Sequence, residues 1–286
     1  MGKVLDRLPP GSRIAVIRLR SLGDCVLTTP ALALLKQYRP DLKATIVVEP
    51  RFAAVFEGNP DVDAISTGPV AADLALNLHG GTRSMLLTLR SGLRAGFAHH
   101  RYSFIYSDKI PRAQEILGVE RRVHTAEHLA SAMFWLGVPR TEIPRARLIA
   151  DSIELGPCTI IHPFASAPDK TWPPERFVEV ARKLPNPVIL AGPDDDTSPF
   201  GKFRVLKNEP LARVKNLMAG STLFVGNDSG PAHMAAAFGV PVVALFGSSD
   251  PVTWAPWRTE SQVLTGLRDV TVDDVLGAID ALKVRA

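Results

Sequence analysis

The stretch that most constrains this chain is Thr222–Pro251, TLFVGNDSGPAHMAAAFGVPVVALFGSSDP. Thr222–Val225 is a short β-rich apolar run, and Gly226-Asn227-Asp228-Ser229-Gly230 follows it. Pro231 suits a first helical position, with Ser229 or Gly230 as cap. Ala232–Phe238 reads as an Ala-rich helix stopped by Gly239, Pro241–Phe246 as a second strand, and Gly247-Ser248-Ser249-Asp250-Pro251 as a second polar loop. Strand, loop, helix, strand is half of a doubly wound α/β sheet. In such sheets ligands sit beyond the carboxyl ends of the strands, where both loops lie. A Gly/Ser-rich loop opening a helix offers backbone N–H groups and about half a positive charge, which suits a phosphate. The same residues also serve as ordinary turns. His233, on the first turn of the helix, is either within reach of a ligand or a structural histidine.

The rest of the chain repeats this grammar without an internal sequence repeat. Arg13–Leu19 reads as a buried strand, Arg20-Ser21-Leu22-Gly23-Asp24 as a loop, and Cys25–Tyr38 as a helix that Pro30 breaks or kinks. Ala44–Val48 and Asp73–Leu78 are further strands, followed by Glu49-Pro50-Arg51 and His79-Gly80-Gly81, and Thr82–Arg90 is a helix. Strand alternating with helix implies a parallel, right-handed layer. Residues 98–123 carry no clear pattern; His99 and His100 lack metal-ligand spacing to a third ligand and read as a surface loop. His124–Leu136 is an amphipathic helix ended by Gly137, and Val138–Glu154 is the passage between domains. Cys158–His162 restarts the strands, Pro163–Trp172 is a loop, Pro174–Leu184 a helix, Pro187–Ala191 a strand, Leu211–Ala219 a helix and Val272–Val284 a final helix. The expected domains are 1–150 and 151–286, with room for the last helix to pack back on the first.

Asp24 stands just past strand one, either as a helix cap or as a cleft carboxylate, ordinarily ionised at neutral pH and able to accept a proton. The run Asp194-Asp195-Asp196 looks like a metal site, but consecutive carboxylates cannot all point one way. A solvated turn or a ribose contact is the better reading, and no metal is expected. Two cysteines, Cys25 and Cys158, without a CxxC pair, argue against a disulfide framework or a Cys-based zinc site. The start, MGKVLDRLPPGSR, does not read as a signal peptide and no apolar run spans a bilayer, so a reducing cytoplasm is the expected home. The net charge of +4 is uneven: residues 1–150 carry 20 Lys and Arg against 13 Asp and Glu, the remainder 13 against 16. A basic first half suggests an anionic partner there, with Arg18, Arg20, Arg51, Arg83, Arg94 and Arg101 as candidates. No basic run interleaved with aromatics points to nucleic acid.

Four blocks then converge on one family. GNDSGPAHMAAAFGVPVVALFG resembles the C-terminal signature of the family 9 glycosyltransferases, the lipopolysaccharide heptosyltransferases. RLRSLGDCVLTTPALALLKQYRP resembles their N-terminal signature, IHPFASAPDKTWPPERF their middle block, and LNLHGGTRS with RAGF a fourth. The resemblance implies the GT-B fold, two Rossmann-like domains facing across a cleft, with an N-terminal acceptor domain and a C-terminal donor domain. It implies inverting, metal-independent transfer from an ADP-heptose donor to an anionic glycolipid, an inner-core acceptor of Kdo or heptose on lipid A. No cofactor is expected, and peripheral contact with the cytoplasmic face of the inner membrane is. By matching position, Asp24 is the expected base and Lys170 the partner of the donor diphosphate. Ser166, Asp194, Asp228, Ser229, Gly230 and His233 would complete the donor site, and Arg18, Arg20, Ser21, Gly23, Arg51 and Arg83 the acceptor site. Phe164 departs from the family, which often has Gly after His-Pro, and the chain is shorter than its usual length. Competing readings are a family 9-like enzyme with another donor or acceptor, a GT-B epimerase, and a non-catalytic nucleotide-sugar-binding protein.

Overall fold

A computed structural model describes residues 3–282. The chain divides into two compact units, Met1–Ile149 and Ala150–Ala286. The N-terminal unit holds six strands: β1 (Arg13–Ile17), β2 (Lys43–Val47), β3 (Ala64–Ser66), β4 (Leu74–Asn77), β5 (Leu93–Phe97) and β6 (Asp108–Ile110). They form one sheet in the order β3-β2-β1-β4-β5-β6, every pair parallel. The C-terminal unit holds β7 (Thr159–His162), β8 (Pro187–Ala191), β9 (Arg204–Lys207), β10 (Leu223–Asn227), β11 (Val242–Phe246) and β12 (Ser261–Thr265). Their order is β12-β11-β10-β7-β8-β9, again all parallel. Each unit therefore has the doubly wound order in which the first strand lies beside the second and the fourth. The strand order reverses between β1 and β4 in one unit and between β7 and β10 in the other, and the crevice at such a reversal is where these sheets bind ligands.

The strands are buried on both faces, so they read as near-continuous apolar runs; β10 and β11 are buried at every position. The helix Leu22–Tyr38 is apolar all round because it lies under cover: Cys25 to Leu35 are all buried, and it packs against the helix Thr125–Leu136. It starts three residues earlier than the sequence suggests, at Leu22, so Asp24 belongs to its first turn rather than to a loop. Pro30 does not end it. The carbonyl of Val26, which a residue-30 N–H would have taken, accepts the Thr29 hydroxyl at 2.8 Å instead.

Residues 98–123, which carry no clear pattern in the sequence, hold β6 and the helix Ala113–Leu117, while His99 and His100 lie in the turn after β5. The rings of His99, His100 and His128 gather on Phe97, with centroids 5.3, 5.6 and 4.1 Å away. Burial, with neighbouring His99, pushes His100 and His128 down to about 4. The final helix, Val272–Ala281, buries Val275, Ala278 and Ile279 in the C-terminal core with Trp172, Phe177 and Val243. Its apolar stripe is thus used in the core of its own unit. Positions 283 and 284 of the expected helix, and Met1 and Gly2 of the expected start, lie outside the described residues. Among the described residues no helix is long and apolar enough to cross a membrane.

Candidate active site

Asp24 lies at the reversal point of the N-terminal sheet. Arg18, the residue after β1, donates through Nη1 to the carbonyl of Leu78, just past β4, at 2.5 Å. Its Nη2 pairs with Asp24 Oδ1. Asp24 Oδ2 accepts from the Ser21 backbone N–H at 3.2 Å and from the Ser21 hydroxyl at 3.0 Å. This is a capping interaction and an ion pair at once, with Ser21 in the cap position and Asp24 as the third helical residue of the capping box. A carboxylate offers about four acceptor positions, and three are used here. Arg18 Nε is buried without a partner, as is His79 Nδ1 on the loop after β4. Burial, then the Arg18 charge, lowers the His79 pKa. Gly23 is buried in the same helical turn, and Cys25 behind it is pushed up to about 12 by burial, which leaves its thiol inert.

Arg51 and Arg83 converge on a residue the sequence did not single out. Glu49, two residues past the end of β2, bridges Arg51 at 3.0 Å and Arg83 at 3.1 Å. Two guanidiniums on one carboxylate leave a net positive charge. Arg20 is exposed. Arg94 is directed elsewhere, with Nε donating to the carbonyl of Ile105 at 3.1 Å.

In the C-terminal unit the helix Gly230–Phe238 begins one residue before the expected Pro231, with Ser229 in the cap position and Gly239 closing the far end in a left-handed conformation. The Ser229 hydroxyl is buried without a partner at the helix's N-terminus. An unsatisfied buried hydroxyl beside the orphaned N–H groups of a first turn is a place for an anionic ligand. Asp228 precedes it. Its carboxylate accepts from the Ser249 hydroxyl at 2.5 Å and lies 3.8 Å from Lys170 Nζ. Burial raises the Asp228 pKa, against the lowering by Ser249 and Lys170. His233 is buried, with its ring 6.3 Å from that of Trp254.

Lys170 is held there by backbone packing. The turn Pro168–Lys170 lies so close to Gly247, the residue after β11, that a Cβ on Gly247 would be 1.9 Å from the Asp169 carbonyl oxygen. Asn227, the last residue of β10, is fully buried and ties down both ends of the segment. Its Oδ1 accepts from the Trp172 N–H at 3.0 Å and its Nδ2 donates to the Pro163 carbonyl at 2.8 Å. Phe164 turns its ring to Phe200, with centroids 6.0 Å apart, and so serves the core. Ser166 is exposed in the middle of this loop.

The three aspartates after β8 divide as a turn does. Asp195 accepts from the Gly192 N–H at 2.7 Å, Asp196 from the Ser198 N–H at 3.0 Å, and Asp194 is exposed. Among the described residues no three His, Cys, Asp or Glu side chains are grouped as metal ligands. The sequence reading missed Ser249, Glu49, His79, Asn227 and Gly247 as site residues. Four of the five lie just past a strand's carboxyl end and Asn227 is the last residue of one, so position relative to the strands was the available signal.

Two doubly wound units, each with polar and charged groups at its reversal point, are the architecture of the GT-B fold. The family model described as glycosyltransferase family 9 (heptosyltransferase) matches residues 67–271. The chain belongs to that family. It is similar to lipopolysaccharide heptosyltransferase 3 of Escherichia coli K12, with 26% identity over 84% of this chain and 83% of that one. Among solved structures it is similar to a family 9 glycosyl transferase from Veillonella parvula, with a TM-score of 0.83, 22% identity, and 94% and 96% of the two chains covered. It is also similar to the E. coli heptosyltransferase WaaC with ADP, with a TM-score of 0.77, 20% identity, and coverage of 94% and 99%.

Proposed function

We propose that the protein is an inverting transferase that moves heptose from ADP-heptose to the inner core of a lipid A-type glycolipid. In this reading the acceptor is Kdo or heptose, met by the N-terminal unit at a membrane surface on the cytoplasmic side. The acceptor hydroxyl attacks the anomeric carbon. Its proton passes to Asp24 through the one acceptor position that Arg18 and Ser21 leave unused, the carbon–oxygen bond to the diphosphate breaks, and ADP departs. Arg18 keeps the carboxylate aimed while the proton arrives. Charge on the departing diphosphate is met, without a metal, by Lys170 and by the N-terminus of Gly230–Phe238. Each preorganised donor of this kind contributes on the order of 3 kcal/mol. The Ser229 hydroxyl would bond a phosphate oxygen, while Asp228, Gly230 and His233 would line the sugar and Asp194 the ribose. Arg20, Arg51 and Arg83 supply positive charge for acceptor carboxylates and phosphates.

The observation that carries this reading is the meeting of Lys170, Asp228 and the buried, unpartnered Ser229 hydroxyl at one helix N-terminus. The test is transfer from ADP-heptose to a delipidated, water-soluble core acceptor, in the wild type and in Asp24→Asn. Loss of a general base lowers the rate by roughly a hundred- to ten-thousand-fold, while ADP affinity measured by calorimetry stays unchanged. Turnover in Asp24→Asn at the wild-type rate refutes the base assignment.

A further inference from the structure

In the N-terminal unit, three large apolar side chains stand out in solvent next to the candidate acceptor site. Phe104 is 73% exposed, Leu86 54% and Leu89 50%. Leu86 and Leu89 share a turn, the Leu89 N–H meeting the Leu86 carbonyl at 3.2 Å. One helical turn before Leu86, the Thr82 hydroxyl lies 2.9 Å from the Tyr102 hydroxyl, and the Tyr102 ring is 6.3 Å from Phe104. The two segments are thereby joined into one face. Arginines border it: Arg83 and Arg90 beside the leucines, and Arg101 with its guanidinium 5.5 Å from the Tyr102 ring. From Leu74 to Ser107 the sequence contains four arginines and no Asp or Glu. Glu49, which meets Arg83 from outside the stretch, is shared between Arg83 and Arg51.

We propose that this face is where the protein rests on an anionic phospholipid bilayer, with Phe104, Leu86 and Leu89 entering the headgroup layer and Arg90 and Arg101 meeting lipid phosphates. Apolar side chains ringed by long basic ones suit the interface, where the stems stay apolar and the charged ends reach phosphate. The absence of acid over the whole stretch is charge complementarity to an anionic surface, and it holds within a few ångströms of the lipid, inside a Debye length. Position supports the same occupant. The face continues through Gly81 and Gly80 to His79 and Leu78, whose carbonyl Arg18 holds beside Asp24. A glycolipid acceptor anchored in that bilayer would present its sugars at this edge. The proposal deepens the reading of a membrane-held acceptor and names the surface involved.

Vesicle flotation tests it, with equal parts phosphatidylglycerol and phosphatidylcholine against phosphatidylcholine alone. The wild type is expected to float with the anionic vesicles and to be released by high salt. The triple variant Leu86→Ser, Leu89→Ser, Phe104→Ser should lose tenfold or more in partitioning. Arg90→Gln should lose about fivefold, the worth of one basic side chain at about 1 kcal/mol. Ile153→Ser, which removes an exposed apolar side chain from the C-terminal unit, should float as the wild type does. The proposal is overturned if the wild type ignores anionic vesicles, if the triple variant floats like the wild type, or if Ile153→Ser costs as much. Self-association without vesicle binding, lost in the triple variant, would make the face a contact between copies and likewise overturn it. ADP-induced thermal shift and transfer to the water-soluble acceptor, expected to be unchanged in the triple variant, show that folding and catalysis survive. A wild type that floats but transfers no heptose sinks the activity reading and leaves the docking surface standing.

Discussion

Gly247→Ala would test how Lys170 is placed. The added methyl would sit 1.9 Å from the Asp169 carbonyl oxygen, 2.8 Å from the Lys170 Cα and 2.9 Å from the Asp169 carbonyl carbon. All three are backbone atoms, so no side-chain rotation relieves the overlap. Real Cβ contacts do not fall below 3.0 Å, so the turn Pro168–Lys170 must withdraw by about 1.1 Å, the difference from 1.9 Å. Overpacking of this kind costs about 1–3 kcal/mol in stability. The catalytic loss should be larger, because the displaced segment carries Lys170, now 3.8 Å from Asp228. A misplacement of about 1 Å in a positioned group costs up to roughly a hundredfold in rate, or about 2.7 kcal/mol of barrier. Steady-state transfer should therefore show kcat/KM down by tens to a hundredfold, ADP affinity weakened, and a lowered Tm. Gly277→Ala serves as the control, since a methyl there meets nothing within 4 Å and the site lies far along the final helix. It should keep full activity and gain up to about 1 kcal/mol from helix propensity. Transfer and Tm in Gly247→Ala within twofold and a degree of the wild type would refute the claim that this close approach sets the lysine.

The histidine cluster on Phe97 makes stability pH-dependent. His100 and His128 have folded values of about 4 against an ordinary 6.5, so below 6.5 the unfolded chain binds more protons than the folded one. Stability is then expected to fall as pH drops from about 6.5 to about 4, by at most about 1.4 kcal/mol per pH unit for each ring. Urea unfolding at pH 7, 5.5 and 4.5 checks this, and His128→Phe, keeping the stack on Phe97, should flatten the profile. Asn227→Ala should cost about 2 kcal/mol or more, because the Trp172 N–H and the Pro163 carbonyl both lose their buried partner. Denaturant melts would show it, and an unchanged midpoint would mean that water replaces the amide.

Much of the fold was legible because parallel strands buried on both faces leave apolar runs that need no periodicity to be seen. β1, β2, β4, β7, β8, β10 and β11, the central strands among them, were readable this way. The strands not recognised from the sequence are mostly at the sheet edges: β3, β6, β9 and β12, with β5 next to an edge. Edge strands are half exposed, short and mixed in composition, as Ala64–Ser66 and Asp108–Ile110 are, so the local signal fades where tertiary pairing does the work. Pro30 misled for the opposite reason. Its local penalty is real, but Thr29 supplies the missing donor and the packing on both sides of the helix outweighs what remains.

The site divides along the same line between local and distant causes. Ser229, Gly230 and the helix that follows could be read because cap, glycine and proline lie next to one another in sequence. Asp24 was placed a turn too early in the chain's logic, as the end of a loop. What fixes it in the first helical turn is Ser21 nearby and Arg18 across the bend. Ser249 on Asp228, Glu49 between Arg51 and Arg83, and Gly247 beneath Asp169 are meetings of segments 21, 34 and 78 positions apart. No spacing rule within one segment announces such pairs. Knowing the strand order does, because every one of them involves a residue just beyond a carboxyl end of a central strand or its neighbour. Topology, more than motif, thus locates the residues that aim the nominal catalytic groups, and substitutions at these second positions should impair transfer while leaving every family motif intact.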